Sequence, residues 1–190
     1  MKYDIVLAGV GGQGVLSLSA IIAASAMHEG LQVKQSEVHG MSQRGGAVSA
    51  NLRLSDAEVA SGLIPLGSAA LVLSMEPLES LRYLDYLSPD GTVITATNPM
   101  KNIPDYPALD GLLDTIRRLP HAILLDSEGI AKQAGSVRAS NMVIAGAASR
   151  LLPLKVGTME HLIASQFARK GEKVVKLNLA AFHAGREAAA

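Results

Sequence analysis

Apolar positions fall into short runs separated by longer segments of small or amphipathic character. Ile5-Val6-Leu7-Ala8 stops at a glycine cluster, as a buried strand does when it ends in a turn. From Val15 to Met27 nearly every face carries Ala, Ser, Leu or Ile, and Gly30 follows where a helix terminator belongs. This predicts a helix packed close against a sheet. Leu31 to Val38 reads as a second strand, and polar Lys34 to Glu37 places its end in solvent or at a site. Val48, Ala50, Leu52 and Leu54 alternate with Ser49, Asn51 and Arg53, which predicts a strand with one wet face at or near a sheet edge.

Ala70 to Ser74, Val93 to Thr97 and Ile123 to Leu125 are further strand-like runs, each followed by a helical pattern. Pro77 suits a first helical turn, with Leu78, Leu81, Leu84 and Leu87 recurring every third residue; Leu109, Leu112, Leu113 and Ile116 make another stripe. Ser127 with Glu128 reads as a helix start. The last third is helical in pattern: Met142 to Leu152, then Thr158 as N-cap of a segment to Lys170 with Gly171 after it, then Leu177 onward. Together these predict a single α/β domain over residues 1–190. Its expected architecture is a three-layer α/β/α sandwich with a mostly parallel sheet, mixed at its edge, a Rossmann-like first βαβ unit and a helical C-terminal third. Asn98 to Pro107 is the longest loop candidate.

Composition narrows the chemistry. The 190 residues carry 17 Lys and Arg against 17 Asp and Glu, so no basic excess marks a nucleic-acid footprint. Four Tyr, two Phe and no Trp are too few for a base-stacking platform. With no Cys, this chain has no disulfide, thiolate nucleophile or Cys-ligated iron–sulfur cluster. Ile5 to Met27 lacks charge, but Asp4 sits where a signal sequence would be basic and Gly11-Gly12-Gln13-Gly14 breaks an apolar helix, so a soluble, cytoplasmic protein is expected.

Two glycine clusters carry the candidate chemistry. Gly9-Val10-Gly11-Gly12-Gln13-Gly14 fits G-x-G-x-x-G after a strand and before a helix, where backbone N–H groups and the positive helix end can meet a phosphate. The same glycines would equally serve a tight strand-to-helix turn. A dinucleotide site would add an acid at the end of the second strand, for which Glu37 is the candidate. Val15-Leu16 replaces the Lys and Ser/Thr of a P-loop, and Arg44 stands where a nucleophile elbow around Ser42 would need Gly, so ATPase and serine-hydrolase readings fail.

The second cluster, Ser36-Glu37-Val38-His39-Gly40-Met41-Ser42-Gln43-Arg44-Gly45-Gly46, gathers a carboxylate, an imidazole, a hydroxyl, an amide and a guanidinium. Arg44 beside Gly45 and Gly46 suits an anion clamp, or it pairs with Glu37 in a structural loop. His28, His39, His121, His161 and His183 lack metal-ligand spacing. Asn141 and Asn178 read as capping and packing residues.

The two clusters together resemble the gamma subunit family of 2-oxoacid:ferredoxin oxidoreductases, and the form His39-Gly40-Met41-Ser42-Gln43-Arg44-Gly45-Gly46 is most similar to the small beta subunit of the indolepyruvate branch. Asn141-Met142-Val143 with Gly146-Ala147, and Asn178 to Gly185, extend the resemblance over nearly the whole chain. It implies a subunit of an enzyme that oxidatively decarboxylates a 2-oxoacid to an acyl-coenzyme A and reduces ferredoxin. Thiamine diphosphate and iron–sulfur clusters would then reside in the larger partner subunit; Pro89-Asp90-Gly91 lacks the first Gly of a Gly-Asp-Gly thiamine motif. The resemblance further implies that Gly11, Gly12, Gln13, Gly14, Glu37, His39, Ser42, Gln43, Arg44, Gly45 and Gly46 face the junction where coenzyme A meets the acyl group, with no catalytic residue in this chain. A homodimer of the chain stays open. The competing readings are a self-sufficient dinucleotide oxidoreductase and a purely structural interaction subunit.

Overall fold

The first apolar run becomes β1 (Lys2–Val10), buried from Asp4 to its end, in a computed structural model that describes residues 1–40 and 44–190. α1 (Val15–His28) follows, and Gly30 ends it as predicted: its φ of 84° lets Leu31 donate its N–H back to Ala26 O at 3.0 Å. The chain then forms β2 (Gln32–His39), β3 (Ala47–Ser55), β4 (Ala69–Ser74), β5 (Leu87–Ala96) and β6 (Ala122–Leu125). Among the described residues these strands make one sheet in the order β2-β3-β1-β4-β5-β6. β1, β4, β5 and β6 are parallel neighbours, whereas β3 pairs antiparallel with both β1 and β2. The mixed edge is thus real, and β3 lies one strand in from it. The strand-turn-helix opening is Rossmann-like, but β3 is inserted between β1 and β2, so β2 does not neighbour β1.

Helices cover both faces unequally. Ile5, Leu7, Leu52, Leu54, Leu71, Leu73 and Ile94 point into the larger core, under α1, α4 (Ser127–Gln133), α5 (Ser140–Ala148), α6 (Val156–Phe167) and α7 (Glu172–Ala188). Val6, Val72 and Val93 face the smaller one, with Ile116 of α3 (Leu109–Arg117) and Leu81 of α2 (Pro77–Leu81). This is the three-layer sandwich expected, its alternate strand residues serving opposite layers.

Several local expectations shift. The Leu78-to-Leu87 repeat is no continuous α-helix: α2 ends at Leu81, Leu84–Tyr86 is a 3₁₀ turn, and Leu87 opens β5. A period of three suits a 3₁₀ turn as well as a helix face, and Leu81, Leu84 and Leu87 still reach the same small core. Thr158 lies inside α6, whose N-cap is Lys155; the Lys155 N–H is taken by the Glu29 carboxylate at 2.8 Å. Asp126 rather than Ser127 caps α4, accepting the Gly129 N–H at 2.9 Å. Asn178 sits within α7 and donates to Val174 O at 2.8 Å.

The wet face expected of β3 is covered at Arg53. Its guanidinium pairs with buried Asp4 directly across the ladder at 3.0 and 3.2 Å, and donates to Ser61 O and Leu63 O at 3.1 and 2.9 Å. A fork of five N–H donors can bind a carboxylate and two carbonyls at once, which secures the 57–68 loop. No helix among the described residues is long and apolar enough to cross a membrane.

α5 is buried from Asn141 to Ala148, and α7 crosses it at Gly146 and Gly185. A Cβ on Gly146 would stand 1.9 Å from Phe182 O, and one on Gly185 2.0 Å from Val143 O, so neither helix can carry a side chain there without separating. Gly185→Ala should therefore lower the unfolding free energy by about 3 kcal/mol or more despite alanine's better helix propensity, because overpacking against backbone cannot be relieved by a rotamer. Chemical denaturation of the two proteins measures this; equal or raised stability for the alanine variant would contradict the close crossing.

Candidate functional site

The site grows from the end of β1. After Val10 the chain turns through Gly12, at φ 105°, and Gly14, at φ 84°, before α1 begins. Only glycine takes these left-handed angles freely. A Cβ on Gly14 would also meet Asn141 Nδ2 at 2.5 Å, so the bare glycine is what lets Asn141 of α5 pack here. Val15, Leu16 and Ser17 head α1, so their N–H groups precede any intrahelical acceptor and give this turn a positive character.

Gln13 is the clasp of the turn. Its Oε1 accepts the Val10 N–H at 2.8 Å and its Nε2 donates to Met75 O at 3.1 Å, tying the turn to the end of β4. Met75 N–H in turn reaches Ala8 O at 2.9 Å.

The two glycine clusters meet through their backbones. Gly11 donates its N–H to Gly46 O at 2.8 Å and accepts from the Gly45 N–H at 3.2 Å. These bonds prolong the β1–β3 ladder into the turn, so they depend on β3 lying beside β1. Arg44 is exposed and lines a cavity of about 450 Å³ together with Gly11, Gly12, Gln13, Met75, Asn98, Glu128, Arg138 and Ser140. The cavity lies at the carboxyl ends of the parallel strands, where open α/β sheets present ligand sites. Two guanidinium groups and one carboxylate on its wall leave it net cationic.

A second, more apolar cavity of about 360 Å³ lies on the other side of the turn, lined by Val10, Gly11, Gly12, Gly14, Val15, Leu16, Ser17, His39, Gly40 and Val48. His39 Nδ1 is 3.3 Å from Gly40 O, and its Nε2 is 3.9 Å from Glu37 Oε1. Glu37 is exposed on β2, two strands from β1, and lines neither cavity. The insertion of β3 thus places Glu37 away from β1, beside His39 at the rim of the second cavity. Ser42 and Gln43 lie outside the described residues.

The loop between β5 and α3 forms the remaining wall, and the residues that anchor it carried no motif. Asn102 donates to Gly45 O at 2.9 Å. Asn98 donates to Asp126 Oδ1 at 2.9 Å and accepts from Ser127 Oγ and Glu128 N–H, each at 3.2 Å. The hydrogen bond from Asn98, then that from Gly129 N–H, hold the Asp126 carboxyl below its ordinary range. Buried Glu76 takes the rest: its Oε1 accepts from Met100 N–H at 3.3 Å and from the Tyr106 hydroxyl, and its Oε2 caps α2 through Glu79 N–H at 2.9 Å. Burial, then the Glu76 hydrogen bond and charge, push the Tyr106 phenol well above its ordinary range. The available signal was the length and Asn/Pro content of the 98–107 segment, which marked a loop without indicating its contacts.

A glycine turn clasped to a second glycine segment at the carboxyl edge of a mixed sheet defines an α/β domain with a cationic cavity at that edge, and its described residues hold no group of three or more His, Cys, Asp or Glu that could take a metal ion. The chain belongs to the pyruvate ferredoxin/flavodoxin oxidoreductase family, whose model matches residues 4–188. It is 39% identical to the indolepyruvate oxidoreductase subunit IorB of Archaeoglobus fulgidus over 97% of this chain and 94% of that one. It is likewise 39% identical to the IorB subunit of Methanothermobacter thermautotrophicus, over 100% and 99% of the two chains. Its fold matches the gamma subunit of a keto/oxoacid ferredoxin oxidoreductase from Geobacter sulfurreducens, with a TM-score of 0.72, 25% identity and 98% of each chain covered. It also matches part of the 2-oxoglutarate:ferredoxin oxidoreductase of Magnetococcus marinus, solved with 2-oxoglutarate, coenzyme A and succinyl-CoA bound: TM-score 0.77, 23% identity, 99% of this chain but 31% of that one. The protein is accordingly a small, IorB-like subunit of a 2-oxoacid:ferredoxin oxidoreductase.

Beside Glu76, Glu79 is buried with Oε2 lacking a hydrogen-bond partner among the described residues, while its Oε1 lies 3.3 Å from Arg82 Nε. Burial pushes its carboxyl up from 4.5; Arg82 opposes the rise and Glu76 adds to it. The folded state then holds this proton more tightly than the unfolded chain does. The associated stability is full below the ordinary value and is lost as pH rises through the raised one. Glu79→Gln removes the titration, so wild-type stability relative to that variant should fall between about pH 4 and neutrality. Urea unfolding of both proteins across that range tests it, and a difference that grows with pH would show the carboxylate to be stabilised instead.

Proposed function

We propose that this chain is the small subunit of an oxidoreductase that converts an aryl 2-oxoacid such as indolepyruvate, or a branched one, to its acyl-coenzyme A with reduction of ferredoxin. In this reading it helps to enclose the thiamine and coenzyme A site of a larger partner subunit that carries thiamine diphosphate and the iron–sulfur clusters. The observation that carries the reading is the convergence of both glycine clusters on one cationic cavity, in a chain of IorB-like sequence. Coenzyme A supplies the thiol that takes up the acyl group. Its anionic diphosphate fits what the cavity offers: the head of α1, the exposed Gly12 backbone, and Arg44 with Arg138.

The chain's own part is to bind and orient. Gln13 and the Gly11–Gly46 bonds hold the turn in one shape, so its N–H groups are arranged before the ligand arrives. The Asn98–Met100 wall is fixed by Asp126 and Glu76. His39, in the wall of the more apolar cavity, contributes to the surface toward the partner; Ser42 and Gln43 join this reading through the sequence resemblance alone. No residue here forms a bond to the acyl group.

The self-sufficient dinucleotide oxidoreductase is disfavoured by the position of Glu37. A structural interaction subunit predicts no ligand effect from Arg44. Co-expressed with the large subunit, Arg44→Ala should raise the KM for coenzyme A about tenfold or more in ferredoxin reduction, since a charge-assisted hydrogen bond is lost. The melting temperature should hold, because the side chain is exposed. Undiminished turnover and an unchanged KM would remove Arg44 from the site and favour the structural reading.

A further inference from the structure

A circuit of hydrogen bonds follows the wall of the cationic cavity and closes on itself. From the glycine turn, Gln13 Nε2 donates to Met75 O at 3.1 Å, at the end of β4. The next residue, buried Glu76, takes the Met100 N–H at 3.3 Å and the Tyr106 hydroxyl on one carboxylate oxygen, Oε1. Between these two anchors, Asn102 donates its Nδ2 to Gly45 O at 2.9 Å. Gly45 and Gly46 complete the circuit through their backbone bonds to Gly11, at 3.2 and 2.8 Å. Gly11, Gln13, Met75 and Met100 all line the cavity, as Arg44 does.

The place where the loop after β5 touches this circuit is specific. Every residue from 101 to 105 is exposed except Asn102. That span therefore meets the rest of the chain at Gly45, 57 residues away and next to Arg44. Gly45 stands at φ 80°, and a Cβ added there would meet nothing within 4 Å among the described residues, so packing does not restrain it. Two consecutive glycines also give the backbone beside Arg44 unusual freedom. Hydrogen bonds supply the restraint instead: Gly11 O holds the Gly45 N–H, and Asn102 holds the Gly45 carbonyl. With the peptide groups on both sides of Gly45 fixed, the base of the Arg44 side chain is set before an anion arrives, and less freedom is lost on binding.

We propose that Asn102 is a positioning residue for the oxidoreductase reaction, acting through Gly45 to aim Arg44 into the cavity. The proposal rests on the reading of Arg44 as a clamp for the coenzyme A diphosphate. Asn102 itself touches no ligand in this arrangement, so its effect must disappear when the Arg44 guanidinium is absent.

A double-mutant cycle on the complex with the large subunit tests this, with KM for coenzyme A and kcat measured in ferredoxin reduction. Wild type, Asn102→Ala, Arg44→Ala and the double variant are compared, together with Asn102→Asp, which keeps the size of the side chain but removes the donor. Asn102→Ala and Asn102→Asp should each raise KM about threefold to tenfold, the effect of one neutral hydrogen bond, with kcat at saturating coenzyme A unchanged. In the Arg44→Ala background, Asn102→Ala should change KM by less than about twofold, because residues that act as one unit are not additive. An equal increase in both backgrounds, a loss confined to kcat, or an Asn102→Asp enzyme like wild type would overturn the proposal. If Arg44→Ala raises KM and Asn102→Ala does not, positioning by Asn102 fails while the coenzyme A reading stands. If Arg44→Ala leaves KM unchanged, the coenzyme A reading itself fails and the positioning role falls with it.

Discussion

The antiparallel pairing of β3 with β1 is the constraint on which the site depends. Nine residue pairs run from Lys2 with Ser55 to Val10 with Ala47, and the ladder continues into Gly11 with Gly45 and Gly46. Because a slip of one residue would send Leu52 and Leu54 out of the core and Arg53 into it, burial sets the register firmly. That register, fixed by apolar residues far from the turn, is what brings the second glycine cluster against the first. The cross-strand pair of Asp4 and Arg53 acts at the other end of the same ladder and adds a buried contact that tolerates little misalignment.

The unequal layers serve the same end. On the larger face α5 is wholly enclosed, and its close crossing with α7 allows the start of α5 to press Asn141 against Gly14. On the smaller face α2 is short and the chain returns quickly into β5, which leaves the loop after β5 free to fold back over the carboxyl edge. One wall of the cavity is thus supported by helix packing and another by hydrogen bonds to Glu76, Asp126 and Gly45.

Charge is used locally in a chain that sums to zero. Glu76 and Glu79 are buried where a hydroxyl, backbone N–H groups and Arg82 offset part of their desolvation, whereas Arg44 and Arg138 remain at the cavity surface. Carboxylates thereby hold the loop in place while guanidinium groups face the solvent side, where an anion would arrive. Net charge alone showed no basic excess but was blind to this separation.

The sequence by itself determined the local pieces. Periodicity located the strands and most helices, because the side-chain period of an element and its burial on one face are properties of neighbouring residues. Glycines beyond a strand end announced the turn, and the absence of Cys barred thiolate-held clusters from this chain. Errors came where a local pattern was ambiguous: the three-residue repeat after Pro77 fits a 3₁₀ turn as well as an α-helix, and polar residues near a helix start do not specify which of them caps it. Only the tertiary structure decided that β3 separates β1 from β2, which sets Glu37 two strands from β1 and joins Gly11 to Gly46. It alone showed that Glu76, Asn98, Asn102 and Arg138 gather at the cavity. Strand order and loop docking arise from contacts between residues far apart in the chain, and no local spacing encodes which distant partner buries the most surface or satisfies a buried carboxylate.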